Sequence, residues 1–289
     1  MTKIYDRASQ QLSSTNDYRS VWLQRLYETV WGKRLLPVIT APWMSKLLTW
    51  RDYTSLSKPK IAHFIKQYEL DVTEFETTEF RTYADFFQRK FKRGVRAACS
   101  STDVMSVADA KLLVLPISSS RTLDIKGQSY HFKDLVQDEA LSRQFEGGQV
   151  FVYRLGLEDY HRYWASETGP IVKQKTIQGK LHSVRAIAQS KHLIYKENQR
   201  EYCVIETQDC GLVMQMEVGA LTVGKIINHP TNQLERAQEK GWFALGGSTI
   251  IVAYQAQQVA ADADIIAYSK QGIECQVQMG EKVGKKDVK

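Results

Sequence analysis

The stretch ALGGSTIIVAY, residues 244–254, decides how this chain is read. Gly246 and Gly247 stand directly before Ser248. Thr249-Ile250-Ile251-Val252-Ala253-Tyr254 then forms a run of high strand propensity. Only 42 residues remain from Ser248 to the end. On local sequence alone, Gly-Gly-Ser is a tight turn at the mouth of a strand. The spacing is not G-x-S-x-G, and a strand follows where a helix should. It therefore does not fit the nucleophile elbow of the α/β-hydrolases.

Upstream, from about Asp103, the chain has the same character. Lys111–Pro116, Gln149–Leu155, Ile171–Ile177, Cys203–Thr207 and Leu212–Val218 are short β-rich segments, many of them separated by turn residues. No dinucleotide fingerprint and no P-loop occur. Before this body, residues 18–70 have a helical pattern. Gly32, Pro37 and Pro42 are expected to break it into short pieces, and Ser57-Lys58-Pro59 to cap a helix over Ile61–Leu70. The expectation is an α+β chain. A helical, basic, Trp-rich region spans 1–100, and a mainly antiparallel β catalytic domain spans 101–289.

The charge is uneven. Residues 18–96 hold 15 Lys/Arg against 8 Asp/Glu, while the remainder is balanced at 24 against 24. Trp22, Trp31, Trp43 and Trp50 fall in the same segment. Indole and basic side chains together suit the headgroup layer of a membrane. The same pattern also fits a helical layer packed on the domain with its charges solvated. No recognised binding motif accompanies the charge, so no nucleic-acid partner is expected. Cys99, Cys203, Cys210 and Cys275 show no C-x-x-C spacing and are expected as free thiols, with no metal site. The start lacks an apolar h-region, and no run reaches the ~20 apolar residues of a spanning helix, so a peripheral protein is expected.

A second stretch, Tyr153-Arg154-Leu155-Gly156-Leu157-Glu158-Asp159-Tyr160-His161-Arg162, places one histidine between an aromatic ring and a guanidinium. Imidazole titrates near neutrality, so His161 is either structural or a proton carrier.

These two stretches and their neighbours resemble the phosphatidylserine decarboxylase family from roughly Tyr83 to Tyr254. The resemblance includes Tyr83 to Lys92, followed by Gly94 and Arg96, and Ser106-Val107-Ala108-Asp109-Ala110. It continues through Ile125 to Tyr130, Asn198-Gln199-Arg200, Val218 to Gly224, and Gly241 to Thr249. It implies that the chain cuts itself between Gly247 and Ser248. The serine remnant would become a pyruvoyl cofactor on residues 248–289, and its carbonyl would draw electrons as the substrate carboxylate leaves. The implied catalytic set is Ser248, His161 and Asp109, with His161 returning the proton during turnover. The implied reaction is decarboxylation of phosphatidylserine to phosphatidylethanolamine. The implied partners are a phospholipid substrate and an anionic membrane surface on the cytoplasmic side. A homodimer is left open.

The chain departs from the family pattern where processing is concerned. The family has a second histidine three places after the first, and here that position is Trp164, whose ring nitrogen only donates. Ser166 stands at a family proline, and Ala110 at the usual glycine. Two other readings therefore stand beside the first. One is a decarboxylase of a different amine-bearing acid. The other is an uncleaved homologue that binds a lipid or partner without catalysis.

Overall fold

The computed structural model describes residues 2–15, 21–118, 123–125, 128–183, 188, 192–221, 225–245 and 248–286. Its strands in the first half are β1 (Thr2–Asp6), β2 (Gln11–Thr15), β3 (Asp103–Met105), β4 (Ala110–Pro116), β5 (Leu123–Ile125), β6 (Gln128–Tyr130), β7 (Gln149–Leu155), β8 (Arg162–Trp164) and β9 (Gly169–Ile177). The second half adds β10 (Arg200–Glu206), β11 (Leu212–Val218), β12 (Lys225–Asn228), β13 (Gln233–Leu234), β14 (Glu239–Ala244), β15 (Ser248–Tyr254), β16 (Val259–Ala261), β17 (Glu274–Val277) and β18 (Lys282–Lys286).

Ten of these form one sheet in the order β13-β9-β10-β11-β15-β7-β4-β17-β1-β2. Every neighbouring pair in it is antiparallel except β1 with β17. The fold is thus α+β with a mainly antiparallel sheet. Two smaller sheets, β12-β14-β8 and β16-β18-β3, lie beside it.

The run after Ser248 is apolar at almost every position because β15 is interior and covered on both faces. Ile250, Val252 and Tyr254 join one buried cluster with Phe151, Tyr153 and Val213. Ile251 and Ala253 join the other with Val150, Val152 and Met214. That alternation is the two-residue period of a strand. The first face is closed partly by Leu23, Leu26, Tyr27 and Leu36. The second is closed by Phe132, Leu135 and Phe145.

Four helices of the N-terminal region are α1 (Val21–Glu28), α2 (Val30–Ile39), α3 (Pro42–Thr49) and α4 (Pro59–Tyr68). Pro42 opens α3, where a missing N–H costs nothing. Gly32 does not break α2, and the interruption falls instead at Thr29, whose side chain caps it. Gly32 is needed for contact, because a Cβ there would lie 2.2 Å from the carbonyl oxygen of Arg25. Ser57 is not the cap of α4. Its hydroxyl donates to the Thr54 carbonyl and accepts the Tyr83 N–H instead.

Helix α3 is amphipathic in reverse. It buries Ser45 and Thr49 and exposes Trp43, Leu47 and Leu48. Of the twelve large exposed apolar side chains among the described residues, ten lie between Val30 and Leu56. Trp31, Trp43 and Trp50 are 72%, 60% and 58% exposed. A helix built only to pack on a core would show the opposite pattern. No described helix is long and apolar enough to cross a membrane.

β1 and β2 are an addition to the sequence reading. They precede the helices yet complete the large sheet, with Ile4 opposite Glu274.

Candidate active site

Ser248 begins β15 at the seam between two sheets. β14 belongs to the small sheet and β15 to the large one. Gly247 and Gly246 lie outside the described residues. Leu245, which leads into them, has φ 53°, in the left-handed region. For a side chain with a Cβ this conformation costs roughly 1–2 kcal/mol, which the surroundings must supply. Leu245 is buried against Ala84 and Phe87.

The Ser248 side chain is fully buried, and its Oγ has no hydrogen-bond partner among the described residues. A buried hydroxyl without a partner costs about 1–3 kcal/mol. Such a group is reactive or accommodates something the protein makes there. The adjacent strands fix the backbone of Ser248, which pairs with Leu155 of β7. Lys111 of β4 pairs with Arg154, the neighbour of Leu155. Asp109 therefore enters the sheet at the same end as Ser248, two strands away, or roughly 10 Å at the usual strand spacing.

His161 lies on the other side of the seam. Its carbonyl accepts the N–H of Phe243 in β14, and its ring packs 4.1 Å from the ring of Phe87. Phe87 in turn touches Leu245. His161 Nδ1 lies 2.9 Å from the carbonyl oxygen of Asp159. A carbonyl only accepts, so Nδ1 carries a proton and the lone pair of the neutral ring is at Nε2. The imidazole is thus buried and oriented, with its basic nitrogen defined.

The loop 156–161 that carries His161 is clamped from below. Lys111 Nζ donates to Asp159 at 2.6 Å and to Glu158 at 2.5 Å, and Asp159 also accepts the Gly156 N–H at 2.6 Å. Burial raises the Asp159 carboxyl to about 6, against the lowering effect of Lys111, and Glu158 adds to the rise. Arg89, itself buried, donates to the carbonyls of Glu158 and Asp159.

Asp109 is held by a two-pronged bond from Arg96, at 3.1 and 2.8 Å, and by the N–H of Met279 at 2.7 Å. Its hydrogen bonds go to these groups. The structure therefore gathers Ser248 and His161 around one seam, with Asp109 anchored at the same sheet end. Arg89, Arg96, Asp109, Asp159 and Tyr160 line a cavity of about 450 Å³ beside this end of the sheet, whose lining includes neither Ser248 nor His161. The Arg96 partner and the Lys111 clamp were not foreseen, since nothing in local sequence pairs residues 13 or 48 apart.

Trp164 stands where the family has its second histidine. Its backbone N–H bonds to Val107, and its ring faces Gly280, where an added Cβ would come within 3.2 Å of Cζ3. That ring is next to the turn that anchors Asp109. Another imidazole, His182, is no substitute base. Its Nδ1 lies 3.3 Å from the Tyr27 hydroxyl, its Nε2 faces Glu197, and burial depresses it to about 3.

Comparison with known proteins gives the family. The profile of the family described as phosphatidylserine decarboxylase matches residues 83–285. The chain is 38% identical to phosphatidylserine decarboxylase proenzyme 2 of Clostridium acetobutylicum, over 97% of each chain. It is 33% identical to the phosphatidylserine decarboxylase proenzyme of Ruminiclostridium cellulolyticum, over 98% of this chain and 97% of the relative. It is 32% identical to that of a Clostridium botulinum strain, over 99% of this chain and all of the relative. The protein is therefore one of the carboxy-lyases. It belongs to the phosphatidylserine decarboxylase family.

Proposed function

We propose that this protein decarboxylates phosphatidylserine to phosphatidylethanolamine at a membrane surface, after cutting itself at Gly247–Ser248. The observation that carries the reading is the buried hydroxyl of Ser248 at the seam, which has no hydrogen-bond partner among the described residues and follows a left-handed Leu245.

Self-cleavage follows from that placement. Ser248 Oγ attacks the Gly247 carbonyl, its proton leaves, and the amide becomes an ester with a free Ser248 amine. Loss of the Ser248 Cα proton then breaks the Cβ–Oγ bond and releases the upstream chain as a carboxylate. The dehydroalanine left behind tautomerises to an imine, and water replaces its nitrogen, releasing ammonia and leaving a pyruvoyl group on residue 248. The site fits that group, since residue 248 is walled off from solvent and the side-chain oxygen it loses has no hydrogen-bond partner among the described residues.

The pyruvoyl carbonyl supplies an electron sink for the departing carboxylate. The chain's own residues do the rest. β7 pairs with residue 248 itself, and β11 holds the next residue, Thr249. The Asp159 carbonyl orients His161, and to its Nε2 we assign both the uptake of the Ser248 proton during processing and the delivery of one to the substrate carbon in turnover. This second duty extends what the motif alone assigns to His161, and it answers the absence of a base at Trp164. Asp109, charge-balanced by Arg96, fixes the Met279–Gly280 turn that borders Trp164.

The lipid reaches the site from a surface. The exposed Trp31, Trp43 and Trp50 sit among Lys33, Arg34, Lys46 and Arg51, and Arg34 lies 5.2 Å over the Trp31 ring. This mixture matches an anionic lipid face. We read residues 1–100 as the region that meets the membrane and 101–289 as the region that carries chemistry, with β1 and β2 as structural additions to the latter's sheet. The cytoplasmic face, being the anionic one, is the matching side. The test is product formation from phosphatidylserine in mixed vesicles. Parent protein forms phosphatidylethanolamine and Ser248→Ala forms none. Equal activity of the two would overturn the reading, as would turnover of free serine in preference to the lipid.

A further inference from the structure

We propose that His182, His192 and Glu197 bind a divalent transition-metal ion of the zinc class. One ligand atom from each lies within 4.8 Å of the others. Glu197 Oε2 is 3.2 Å from His182 Nε2 and 3.7 Å from His192 Nδ1. The two imidazole rings are stacked, 4.3 Å between centroids and 17° apart in plane. None of the three residues takes part in the chemistry at Ser248.

A second observation points to a ligand. His182 is 1% exposed, and its Nε2 has no aligned hydrogen-bond partner among the described residues, although Glu197 is close. A buried ring nitrogen facing a carboxylate without bonding to it is left undersatisfied. A cation between them would bond to both. Tetrahedral zinc, with bonds of about 2.0–2.2 Å, sets its ligands roughly 3.3–3.5 Å apart. The two carboxylate–imidazole separations are near that value. The imidazole–imidazole gap closes by movement of the partly exposed His192 side chain.

The donor set selects the class of ion. Two imidazole nitrogens and one carboxylate oxygen suit zinc and its neighbours, whereas calcium and magnesium require mainly oxygen. Three protein ligands leave a fourth position open. Burial also favours the neutral imidazole that a metal needs. The remaining nitrogen of His182 has an outer partner in the Tyr27 hydroxyl, 3.3 Å away, which already accepts the Ser183 N–H at 3.1 Å. With Nε2 on the metal, Nδ1 carries the ring proton and donates to Tyr27, the usual arrangement behind a metal-bound histidine.

The site has a structural consequence. Asn198 bonds to the backbone of His182 at both its N–H and its carbonyl, and also to the carbonyl of Gly219. Gly219 follows β11, whose last residue, Val218, pairs with Thr249. A bound ion would therefore tie α1, the 182–197 segment and the strand beside Ser248 together. The sequence conceals this cluster, because spacings of ten and five positions match no recognised ligand motif.

The test uses full-length protein stripped with a chelator, then titrated with Zn²⁺ alone and desalted before metal analysis. One equivalent should remain bound, and the melting temperature should rise with Zn²⁺. The Co²⁺-loaded protein should show the strong visible absorption of a four-coordinate ion. His192→Ala and Glu197→Gln, both at partly exposed positions, should each weaken binding at least tenfold. Failure to retain one equivalent would overturn the proposal, as would retention unchanged in the double variant. Neither readout depends on decarboxylation, so the outcome is independent of the proposed reaction.

Discussion

At the scale of single residues, the account rests on an oriented imidazole and on the clamp beneath it. The Asp159 carbonyl defines His161 as an Nδ1–H tautomer with its lone pair at Nε2. A positioned acid or base is typically worth ~10²–10⁴-fold in rate. His161→Ala should therefore slow fragment formation and cut product formation by that order, with the fold retained on melting. Unchanged rates for both steps would remove His161 from the chemistry. The clamp gives a pH signature. Burial raises Asp159 in the folded protein to about 6, above the ~3.9 of an unfolded aspartate. Between these values the folded state holds a proton that the unfolded state has lost, so stability falls as pH rises from about 4 to 6. The two-unit difference corresponds to a loss on the order of 2–3 kcal/mol. Lys111 of β4, Glu158 of the loop and Arg154 of β7 face this carboxyl and set its balance. Asp159→Asn should flatten the decline in melting temperature over that window, and an unchanged slope would show that another group titrates there.

At the scale of elements, the reversed amphipathicity of α3 and the exposed Trp31, Trp43 and Trp50 make the membrane claim measurable. Replacing Trp31, Trp43 and Trp50 together by Ala should weaken binding to phosphatidylserine-containing vesicles at least tenfold. Binding of the parent should fall as salt rises, since basic residues near an anionic surface contribute about 1 kcal/mol each. Vesicle binding unaffected by the three substitutions would assign the apolar face to something else. Elements differ in how far sequence discloses them. β4, β7, β10 and β11 were legible because buried strands are apolar runs rich in β-branched and aromatic residues, and the largely exposed β9 because Ile171, Val172, Thr176 and Ile177 favour a strand. β1 and β2 were not, since TKIYD and QLSST are largely polar and their place depends on β17, some 270 residues away. Ser248, His161 and Asp109 stood out because each lies in a local motif. The roles of Arg96, Lys111 and Leu245 did not stand out, although Arg96 and Leu245 lie in stretches that carry the resemblance, because those roles exist only once distant parts of the chain are adjacent.

At the scale of the whole molecule, the last 42 residues are woven into the sheet rather than appended to it. β15 lies between β11 and β7, and β17 lies between β4 and β1. A cut before Ser248 therefore severs the chain without freeing the fragment, whose two strands keep their ladders to the remainder. That interlock lets a self-cleaving chain survive its own processing as one folded body. The most direct measurement of the central claim is intact-mass analysis of purified protein under denaturing conditions, followed over time from expression. The account predicts a C-terminal fragment of residues 248–289 with a pyruvoyl N-terminus, co-eluting with the rest under native conditions and absent from Ser248→Ala. A single uncut chain of 33.1 kDa at every time point, with no product from phosphatidylserine, would contradict it.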